Sequence, residues 1–596
     1  METEFIEEGK SIEDIIEMYA SVIKKYTDIN KDVANELMLQ FSEFLLKQSY
    51  YEYSIMIWDN LLDKGYKQDE VVSMIENEFI RPYEEDLKKT YINNVEKYKG
   101  RCYDGAFCDF EQLRYRLLPV DKNVYYVWDR EKCNVLGKTE MIATGTSDEN
   151  LEGYDTILFF DGGDFFAPIS VKKENKEEFI CIVSKDNWKF CYLMFPEFEQ
   201  IFGERWRLFD SVEKIREFYH RNKSNSLPVY FSGSNDEIEK YTLWLDEEHL
   251  YRCSKEGRSE ENILLTIGIP SFNRGHRALE NIRRLQKLPY DCEVEFLVVN
   301  NCSIVNTEGY DEIEKLQETD KRITYYKFPD KPGMNSSGFE VLRRAKGQFC
   351  CLLSDEDHIV LENVTKYLKI IQKYGKEIGF IQGAGGHYYS YEKRNEKIEP
   401  GEKVYARLVW NLNYISGLIF NTKLWKEKNF DTYLLEKGEN NDFVLRYAYN
   451  VAALYICLEH SIYFCKEQLF IEGEEDKQSR SVIINDGKKT LIYASPEKRI
   501  EQFEGCLEVL LECKDALSVD TVLQVYSILC SKIFYLLDVY REIYGEDVCD
   551  FRDAYERVLR VEIINIENLN VDMNSRDYAS LIEKIFGFYQ YSLQSL

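Results

Sequence analysis

The chain has 596 residues, and at roughly 100 to 200 residues per domain this length predicts about three or four folding units. Hydrophobic residues make up 44% of the chain and charged residues 31%, a composition typical of globular proteins that excludes extensive disorder. The formal net charge of −30 creates a field that repels polyphosphates, so we expect no nucleic-acid partner.

The first residues and the cysteines predict a cytoplasmic protein. Residues 1–10 carry four glutamates instead of the basic and apolar segments of a signal peptide, and no run of 18 apolar residues predicts a transmembrane segment. The 16 cysteines show neither CxxC spacing nor a Cys/His zinc pattern. We interpret them as buried thiols in a reducing compartment.

Two regions precede the segment with recognisable chemistry. Residues 1–115 carry apolar residues at three- and four-residue spacing, which predicts a helical N-terminal region. Residues 116–255 predict a separate α/β domain of unknown role, with a helix over 210–221. Its short apolar or aromatic runs predict strands at 124–127, 156–160, 179–183, 190–194 and 229–231. The motif Asp-Gly-Gly-Asp at 161–164 follows one of these strands and indicates either a metal site or, more simply, a turn.

Residues 260–475 alternate strands and helices, with polar residues where the strands end. A strand over 263–269 leads into Pro-Ser-Phe-Asn-Arg at 270–274, and a strand over 294–299 leads into Asn-Asn-Cys-Ser at 300–303. In open α/β sheets ligands bind at the carboxyl ends of the strands. Both loops are therefore predicted to lie at a ligand site.

A further apolar strand, over 348–353, runs directly into Ser-Asp-Glu-Asp at 354–357. Three acids this close repel one another and raise each other's pKa unless a cation neutralises them. Hard carboxylate oxygens suit Mg²⁺ or Mn²⁺, which complete their coordination with water and substrate phosphates. The cluster therefore predicts a divalent metal site that binds a diphosphate.

These elements follow one another in a recognisable order. Pro-Ser-Phe-Asn-Arg, Asn-Asn-x-Ser, Gly-x-Asn, Ala-x-Gly-x-Phe and Leu-Leu-Ser-Asp-Glu-Asp together resemble the nucleotide-binding half of family-2 glycosyltransferases with the GT-A fold. The resemblance implies a Rossmann-like, mostly parallel sheet, a nucleotide-sugar partner, by preference a UDP sugar, and Mn²⁺ or Mg²⁺ as cofactor. It assigns these nucleotide-sugar-binding residues: Pro270, Phe272, Asn273, Arg274, Asn300, Asn301, Ser303, Asn335, Asp355 and Glu356.

The resemblance leaves the metal ligand and the base open. An Asp-x-Asp alignment makes Asp357 the metal ligand together with Asp355, whereas an Asp-x-Asp-Asp alignment makes Glu356 the principal ligand. Asn300 stands where the family usually has an aspartate that reads the uracil edge, so the identity of the base stays open. An asparagine amide can still pair with a pyrimidine.

Downstream, residues 438–446 are similar to the family pattern Glu-Asp-x-Asp-Leu-x-x-Arg at the start of the acceptor-site helix. Asn440 occupies the place of the usual catalytic aspartate, and an amide cannot take the proton of the acceptor hydroxyl. Asp442 or Glu439 is then the candidate base. Acids in the first turn of a helix also occur simply to complement the helix dipole.

The whole sequence predicts an α/β protein in which a GT-A domain, residues 260–475, is followed by a C-terminal helical domain, residues 476–596. We expect a metal-dependent, inverting glycosyltransferase of hexosyltransferase type, with a glycan, lipid-linked or protein acceptor, as in bacterial polysaccharide or glycoconjugate biosynthesis. Two alternatives are a sugar-phosphate nucleotidyltransferase and a catalytically silent scaffold. The sequence leaves open whether the chain forms a homo-oligomer.

Overall fold

The structure is a computed structural model of the chain. It describes residues 11–594 apart from 104–106, 143–155, 162–163, 175–177, 224, 234, 258–262, 331–334, 386–394, 411–414, 474–481, 486–487, 492–494, 546–548 and 570–575. The chain divides into two compact units, Met1–Asp246 and Glu247–Leu596. The finer division into four domains stays a prediction.

The N-terminal unit opens with helices, as its apolar spacing predicts. They are α1 (Ile12–Thr27), α2 (Lys31–Lys47), α3 (Tyr51–Asp63), α4 (Gln68–Met74) and α5 (Arg81–Tyr98), with a π-helical stretch over Ile75–Ile80 between the last two. A capping box begins α1, because Ser11 Oγ accepts the Asp14 N–H and the Asp14 carboxylate accepts the Ser11 N–H. Fully buried Trp58 donates its indole N–H to Ser42 at 2.9 Å and so ties α3 to α2.

Two sheets follow in this unit. Their elements are β1 (Tyr115–Asp121), β2 (Val124–Asp129), β3 (Asn134–Glu140), β4 (Ile157–Phe160), α6 (Ala167–Glu174), β5 (Ile180–Val183), α7 (Phe198–Ile201), β6 (Trp206–Phe209), α8 (Val212–Arg221) and β7 (Tyr230–Ser232). Helix α9 (Asn235–Cys253) follows and includes the boundary between the two units in the sequence. The first three strands form an antiparallel sheet. The other four form a parallel sheet in the order β6-β5-β4-β7. The sequence order therefore reverses at β4, which has β5 on one side and β7 on the other.

One expected strand of this unit is wrong. Residues 190–194 belong to a 3-10 helix, Asn187–Met194, in which every side chain from Trp188 to Met194 is buried. A short apolar run that is buried on all sides has no alternation to distinguish a strand from a helix. The helix over 210–221 is confirmed as α8, and Ser211 caps it by accepting the Lys214 N–H.

The second unit is built on an eight-stranded sheet in the order β10-β9-β8-β11-β15-β13-β16-β14. Its elements up to the end of the sheet region are β8 (Leu265–Ser271), α10 (Gly275–Leu285), β9 (Val294–Asn300), α11 (Glu308–Thr319), β10 (Ile323–Lys327), α12 (Ser336–Arg344), β11 (Phe349–Leu352), β12 (His358–Ile359), α13 (Val364–Tyr374), β13 (Ile378–Ala384), β14 (Glu396–Ile398), α14 (Glu402–Trp410), β15 (Leu418–Asn421), α15 (Thr422–Glu427), α16 (Phe430–Gly438), α17 (Asp442–Glu459), β16 (Ser461–Gln468) and β17 (Phe470–Ile471). Strands β10, β9, β8 and β11 are parallel neighbours, and β15 pairs antiparallel with β11 and β13. The expected mostly parallel, Rossmann-like sheet is confirmed.

The chain ends in helices that share the core of the sheet. A short hairpin, β18 (Val482–Asn485) and β19 (Lys488–Leu491), precedes α18 (Pro496–Cys513), α19 (Val519–Tyr544), α20 (Phe551–Ile566) and α21 (Arg576–Gln594). One continuous cluster of buried side chains runs from Leu297 in the sheet through Val444 on α17 to Tyr526 on α19 and Ile585 on α21. Fully burying an aliphatic side chain contributes about 1.5 to 3 kcal/mol, so the helices stabilise the sheet as they cover it. The predicted fold class, α/β with helical flanks, is confirmed.

One helix in the described part of the chain, over Val519–Glu542, is long and apolar enough to span a membrane by length and composition. Of its most apolar 18-residue window, 44% is buried inside the protein. A core helix of a soluble protein meets the same two criteria, so they are weak support for a membrane span. Most cysteines are buried free thiols, as predicted, although Cys133 is exposed.

Candidate active site

Two neighbouring strands of the second unit deliver the polar loops to one edge of the sheet. β8 and β11 are paired in parallel, with Leu352 opposite Gly268. The loop that follows Ser271 and the loop that follows Leu352 therefore leave the sheet at the same edge. In chain order β8 is followed by β9 on one side and β11 lies on its other side, so this edge is a reversal point at which open sheets bind ligands.

The first carboxylate of the acidic loop is anchored to the loop after β8. Asp355 is buried, and its Oδ2 accepts a hydrogen bond from Ser271 Oγ at 2.7 Å while its Oδ1 accepts from Arg274 Nη1 at 2.9 Å. The same Arg274 Nη1 lies 2.6 Å from Glu356 Oε1. One guanidinium thus bridges two of the three adjacent carboxylates and offsets their repulsion.

A tyrosine extends this anchor. Tyr310 on α11 lies 2.7 Å from Ser271 Oγ through its hydroxyl, which also accepts the Arg274 backbone N–H at 3.1 Å. Because Ser271 donates to Asp355, the Tyr310 hydroxyl is the donor to Ser271. Burial raises the pKa of the Tyr310 hydroxyl, which keeps its proton available for this bond.

The third carboxylate faces inward. Asp357 is fully buried, with Oδ2 accepting from Ser416 Oγ at 2.6 Å and Oδ1 accepting the Gly473 N–H at 3.1 Å. Ser416 in turn accepts the Ser354 N–H at 2.8 Å and so fixes the loop. Of the three acidic side chains, Glu356 has the largest exposed fraction, 19%.

This donor set can be compared with what a divalent cation requires. Carboxylate oxygens are hard ligands that suit Mg²⁺ or Mn²⁺, and Glu356 is the member of the cluster that reaches solvent. The residues therefore fit such a cation, with Glu356 as the ligand that reaches solvent and buried Asp355 beside it. This geometry favours the alignment in which Glu356 is the principal ligand, and the assignment of Asp357 stays a prediction.

The predicted base-binding residues form a connected network. Asn300 is buried, its Oδ1 accepts the Ser303 N–H at 2.8 Å, and its Nδ2 donates to the Tyr325 hydroxyl at 2.9 Å. Ser303 Oγ accepts the Asn273 N–H at 2.7 Å, and Asn273 Oδ1 accepts the N–H of Ile304 at 3.1 Å. The amides thus hold the loops after β8 and β9 in fixed positions.

Three further residues of the predicted set line or adjoin these loops. Asn301 donates its backbone N–H to Ser271 O at 2.9 Å, whereas its buried amide oxygen has no hydrogen-bond partner among the residues that the structure describes. Pro270 pairs with Val299 within the sheet, and Phe272 remains 37% exposed. This oxygen retains the capacity to accept a hydrogen bond from a water molecule or a ligand.

Asn335 connects the site to α17. It precedes α12 with a φ of 67°, donates through Nδ2 to Leu445 O, and accepts the Tyr449 hydroxyl on its backbone oxygen at 3.1 Å. A Cβ on Gly338 would lie 2.0 Å from the Tyr449 hydroxyl oxygen, so only glycine permits this approach of α12 to α17. The glycine and methionine that precede Asn335 in the Gly-x-Asn motif lie outside the described residues.

The two candidate bases lie in different surroundings. Asp442 is the first residue of α17, is 14% exposed, and accepts a hydrogen bond from Gln502 Nε2 of α18 at 3.2 Å. Arg446 Nε and Lys498 Nζ lie 3.7 and 3.9 Å from Asp442 Oδ1. Glu439 is exposed in the turn before α17, next to Asn440. Helix α18 therefore orients the Asp442 carboxylate, whereas none of the contacts given above involves Glu439.

Residues 266–431 match the family model described as glycosyl transferase family 2. This region is a family-2-like glycosyltransferase domain. The match ends before α17, so both candidate bases and the C-terminal helices lie outside it. No curated protein matches the chain.

Solved structures are similar to a part of this chain. They include S. aureus TarS 1-349 in complex with UDP, with 14% identity over 56% of this chain and 92% of that chain, and a TM-score of 0.39. They also include the mannosyltransferase PcManGT from Pyrobaculum calidifontis in complex with GDP-Man and Mn²⁺, with 8% identity over 64% of this chain and 96% of that chain, and a TM-score of 0.31.

Several residues of the glycosyltransferase domain site escaped the sequence analysis. Tyr310 bonds to Ser271, which donates to Asp355, and Ser416 donates to Asp357. Gln502 on α18 donates to Asp442. Their roles depend on contacts between segments that are distant in the sequence, and the residues next to them in the sequence do not distinguish them from packing residues.

Proposed function

We propose that this protein is an inverting glycosyltransferase that moves a hexose from a nucleotide sugar, by preference a UDP sugar, to a glycan, lipid-linked or protein acceptor. The observation that carries the proposal is the acidic loop after β11, bridged by Arg274 to the loop after β8, inside the region that matches the family model. Fold resemblance alone does not fix chemistry, so the proposal rests on these side chains.

The loops that carry Arg274, Asn301 and the acidic cluster bind the nucleotide-sugar donor. The Oδ1 of Asn301, which has no hydrogen-bond partner among the described residues, offers an acceptor for an N–H of the base, beside the amide network of Asn300. Arg274 offers positive charge for the diphosphate, which the overall charge of −30 would otherwise repel. When bound by Asp355 and Glu356, Mn²⁺ or Mg²⁺ would neutralise the charge that develops on the departing diphosphate.

The transfer itself requires a base. The acceptor hydroxyl oxygen forms a bond to the anomeric carbon, the bond from that carbon to the diphosphate oxygen breaks, and the hydroxyl proton passes to a carboxylate. We assign this role to Asp442, because Gln502 fixes its orientation at the start of α17 and Asn335, a residue of the predicted nucleotide-sugar set, bonds to Leu445 O of the same helix. Attack from the face opposite the leaving group inverts the anomeric configuration.

The test uses the purified full-length protein with Mn²⁺ and a panel of UDP, GDP, CDP and dTDP sugars. We expect slow release of one nucleoside diphosphate, reduced by about 100-fold or more in Glu356→Gln. Glu362→Gln removes an exposed acid from the nearby 3-10 helix Leu361–Asn363 and serves as the matched control. Release of pyrophosphate from a nucleoside triphosphate and a sugar phosphate would instead indicate a nucleotidyltransferase. Nucleotide binding without turnover in any acceptor mixture would indicate a scaffold.

A further inference from the structure

The N-terminal unit contains a cavity of about 350 Å³, outside the glycosyltransferase domain. Asp161, directly after β4, and Asp186, three residues after β5, both line it. Both strands belong to the parallel sheet whose sequence order reverses at β4. The cavity therefore lies at the carboxyl ends of the strands next to the reversal, which is the place where open α/β sheets bind ligands.

One wall of the cavity is aromatic. Phe165 is buried and meets Tyr115 edge to face at 5.1 Å between ring centroids, and Trp188 lies 6.3 Å away in the same arrangement. Phe165 also stacks on Tyr192 at 4.6 Å, which fixes its ring plane. These rings form a rigid apolar surface against which the C–H face of a ligand can pack.

The polar lining carries both signs of charge. Arg114 forms a two-point ion pair with Asp129, with Nη2 2.8 Å from Oδ2 and Nε 3.2 Å from Oδ1, and Asp129 is fully buried. This pair is internally neutral. The remaining charged side chains on the lining are Lys132, Asp161, Asp164 and Asp186.

Two of these aspartates are held in place by their own loops. Asp161 accepts the Trp188 indole N–H at 3.1 Å and the Lys185 N–H at 3.3 Å. Asp164 accepts the Phe166 N–H at 2.9 Å, which is the turn chemistry that the Asp-Gly-Gly-Asp motif predicts. The two glycines of that motif lie outside the described residues. A carboxylate oxygen with one such bond retains a lone pair for a ligand hydroxyl.

The lining selects among ligand classes. An excess of carboxylates disfavours phosphates and nucleotides, whereas Lys132, the lining cation outside the Arg114–Asp129 pair, adds a hydrogen-bond donor. A neutral sugar suits both, because each hydroxyl can donate to a carboxylate and accept from an ammonium, while the ring face packs on the aromatic wall. The volume lies at the lower end of the range of small-molecule sites.

We propose that this cavity is a carbohydrate-binding site for one or two neutral sugar rings. The site belongs to the N-terminal unit alone and does not depend on the function proposed for the glycosyltransferase domain. It offers the protein a means of holding a glycan independently of the nucleotide sugar.

The test is saturation-transfer-difference NMR on the full-length protein without nucleotide. The probes are methyl glycosides of glucose, galactose, mannose and N-acetylglucosamine, together with maltose and lactose. We expect saturation of at least one probe and a dissociation constant about tenfold weaker in Asp161→Asn and in Asp186→Asn. Asp186 is exposed, so its variant tests the site even if Asp161→Asn disturbs the loop. Asp121→Asn, an exposed acid at the end of β1, is the matched control and should bind as the unsubstituted protein does.

Three outcomes would overturn the proposal. The first is that no probe is saturated, or that both pocket variants bind as the control does. The second is loss of the signal in Glu356→Gln, which would place the sugar in the glycosyltransferase domain. The third is that Ca²⁺ or putrescine binds with greater affinity than the sugars and loses that affinity in the same two variants, which would make the cavity a cation site.

Discussion

Arg274 donates a hydrogen bond to Asp355 at 2.9 Å and joins two loops that are 81 residues apart in the sequence. The guanidinium stands beside the same carboxylates that suit a divalent cation. It therefore both supports the site and competes for it.

The first prediction concerns this competition. In Arg274→Gln, Asp355 and Glu356 lose their counter-ion, so we expect Mn²⁺ alone to bind roughly three- to tenfold more tightly. UDP in saturating Mn²⁺ should bind about tenfold more weakly, because the diphosphate loses a positive partner. Isothermal titration calorimetry measures both constants. Arg283→Gln, which removes an exposed arginine paired with Glu312, is the control, and a parallel loss of both affinities would contradict the idea.

The second prediction concerns the base. Asp442→Asn keeps the size of the side chain and its bond to Gln502, but cannot take a proton, so kcat should fall by roughly 10²- to 10⁴-fold. The donor KM should stay within about twofold, since the substitution leaves the donor loops intact. Steady-state kinetics with an active acceptor measure the two constants, with exposed Glu436→Gln as control. If Glu439→Gln abolishes turnover and Asp442→Asn does not, the assignment is wrong.

The third prediction concerns recognition of the base. Asn301→Ala removes the one buried amide oxygen of the two loops that lacks a partner among the described residues. If that oxygen accepts an N–H of the base, UDP binding should weaken by about tenfold, or 1.4 kcal/mol, while Mn²⁺ binding stays unchanged. Calorimetry on Asn301→Ala and on Asn306→Ala, whose amide bonds to Asn273 O, separates ligand recognition from loop stability. Equal losses in the two variants would argue for a structural role.

The acidic loop and Asn300 show which features of the candidate site can be predicted from the sequence. The acidic loop could be found because charged residues interrupt an apolar run at Leu353, which is a local and periodic signal. The asparagine at position 300, where the family usually has an aspartate, could also be found in the sequence. The hydrogen bond from Asn300 to Tyr325 could not be predicted, because it depends on the pairing of β9 with β10.

The features that the sequence did not predict depend on tertiary contacts. The periodic apolar residues after residue 496 predicted helices, yet no pattern indicated that α18 would supply Gln502 to Asp442 or share one core with the sheet. The error at residues 190–194 has the same origin, since burial on every side removes the periodicity that distinguishes strand from helix.

The fourth prediction concerns the buried end of the acidic loop. Ser416→Ala leaves Asp357 fully buried with one hydrogen bond fewer and also frees the Ser354 N–H. We expect a loss of about 1 to 3 kcal/mol in the free energy of unfolding, measured by urea denaturation. Ser531→Ala, which removes only a bond to the carbonyl of Ile528 in its own helix, should change stability by less than about 0.5 kcal/mol. A Ser416 variant as stable as this control would show that Asp357 has no need of the hydroxyl.

The fifth prediction concerns Glu562, which lies fully buried on α20. Burial raises the pKa of its carboxyl to about 9, and neither carboxyl oxygen has a hydrogen-bond partner among the described residues. Between the ordinary value of about 4.5 and this value, the folded protein binds a proton that the unfolded chain releases, so stability falls as the pH rises through that window. At pH 7 the penalty is about 3 kcal/mol, from roughly 1.36 kcal/mol per pH unit.

Glu562→Gln removes this titration while keeping the shape of the side chain. The variant should therefore unfold at higher urea concentration than the unsubstituted protein at pH 7 and 8, and the gap should narrow towards pH 5, where the unfolded chain begins to take up its proton. Glu567→Gln, an exposed acid one turn further along, should show no such pH-dependent gap. A gap that stays constant from pH 5 to 8 would mean that the substitution acts through packing, because only the loss of a titrating group makes the difference depend on pH.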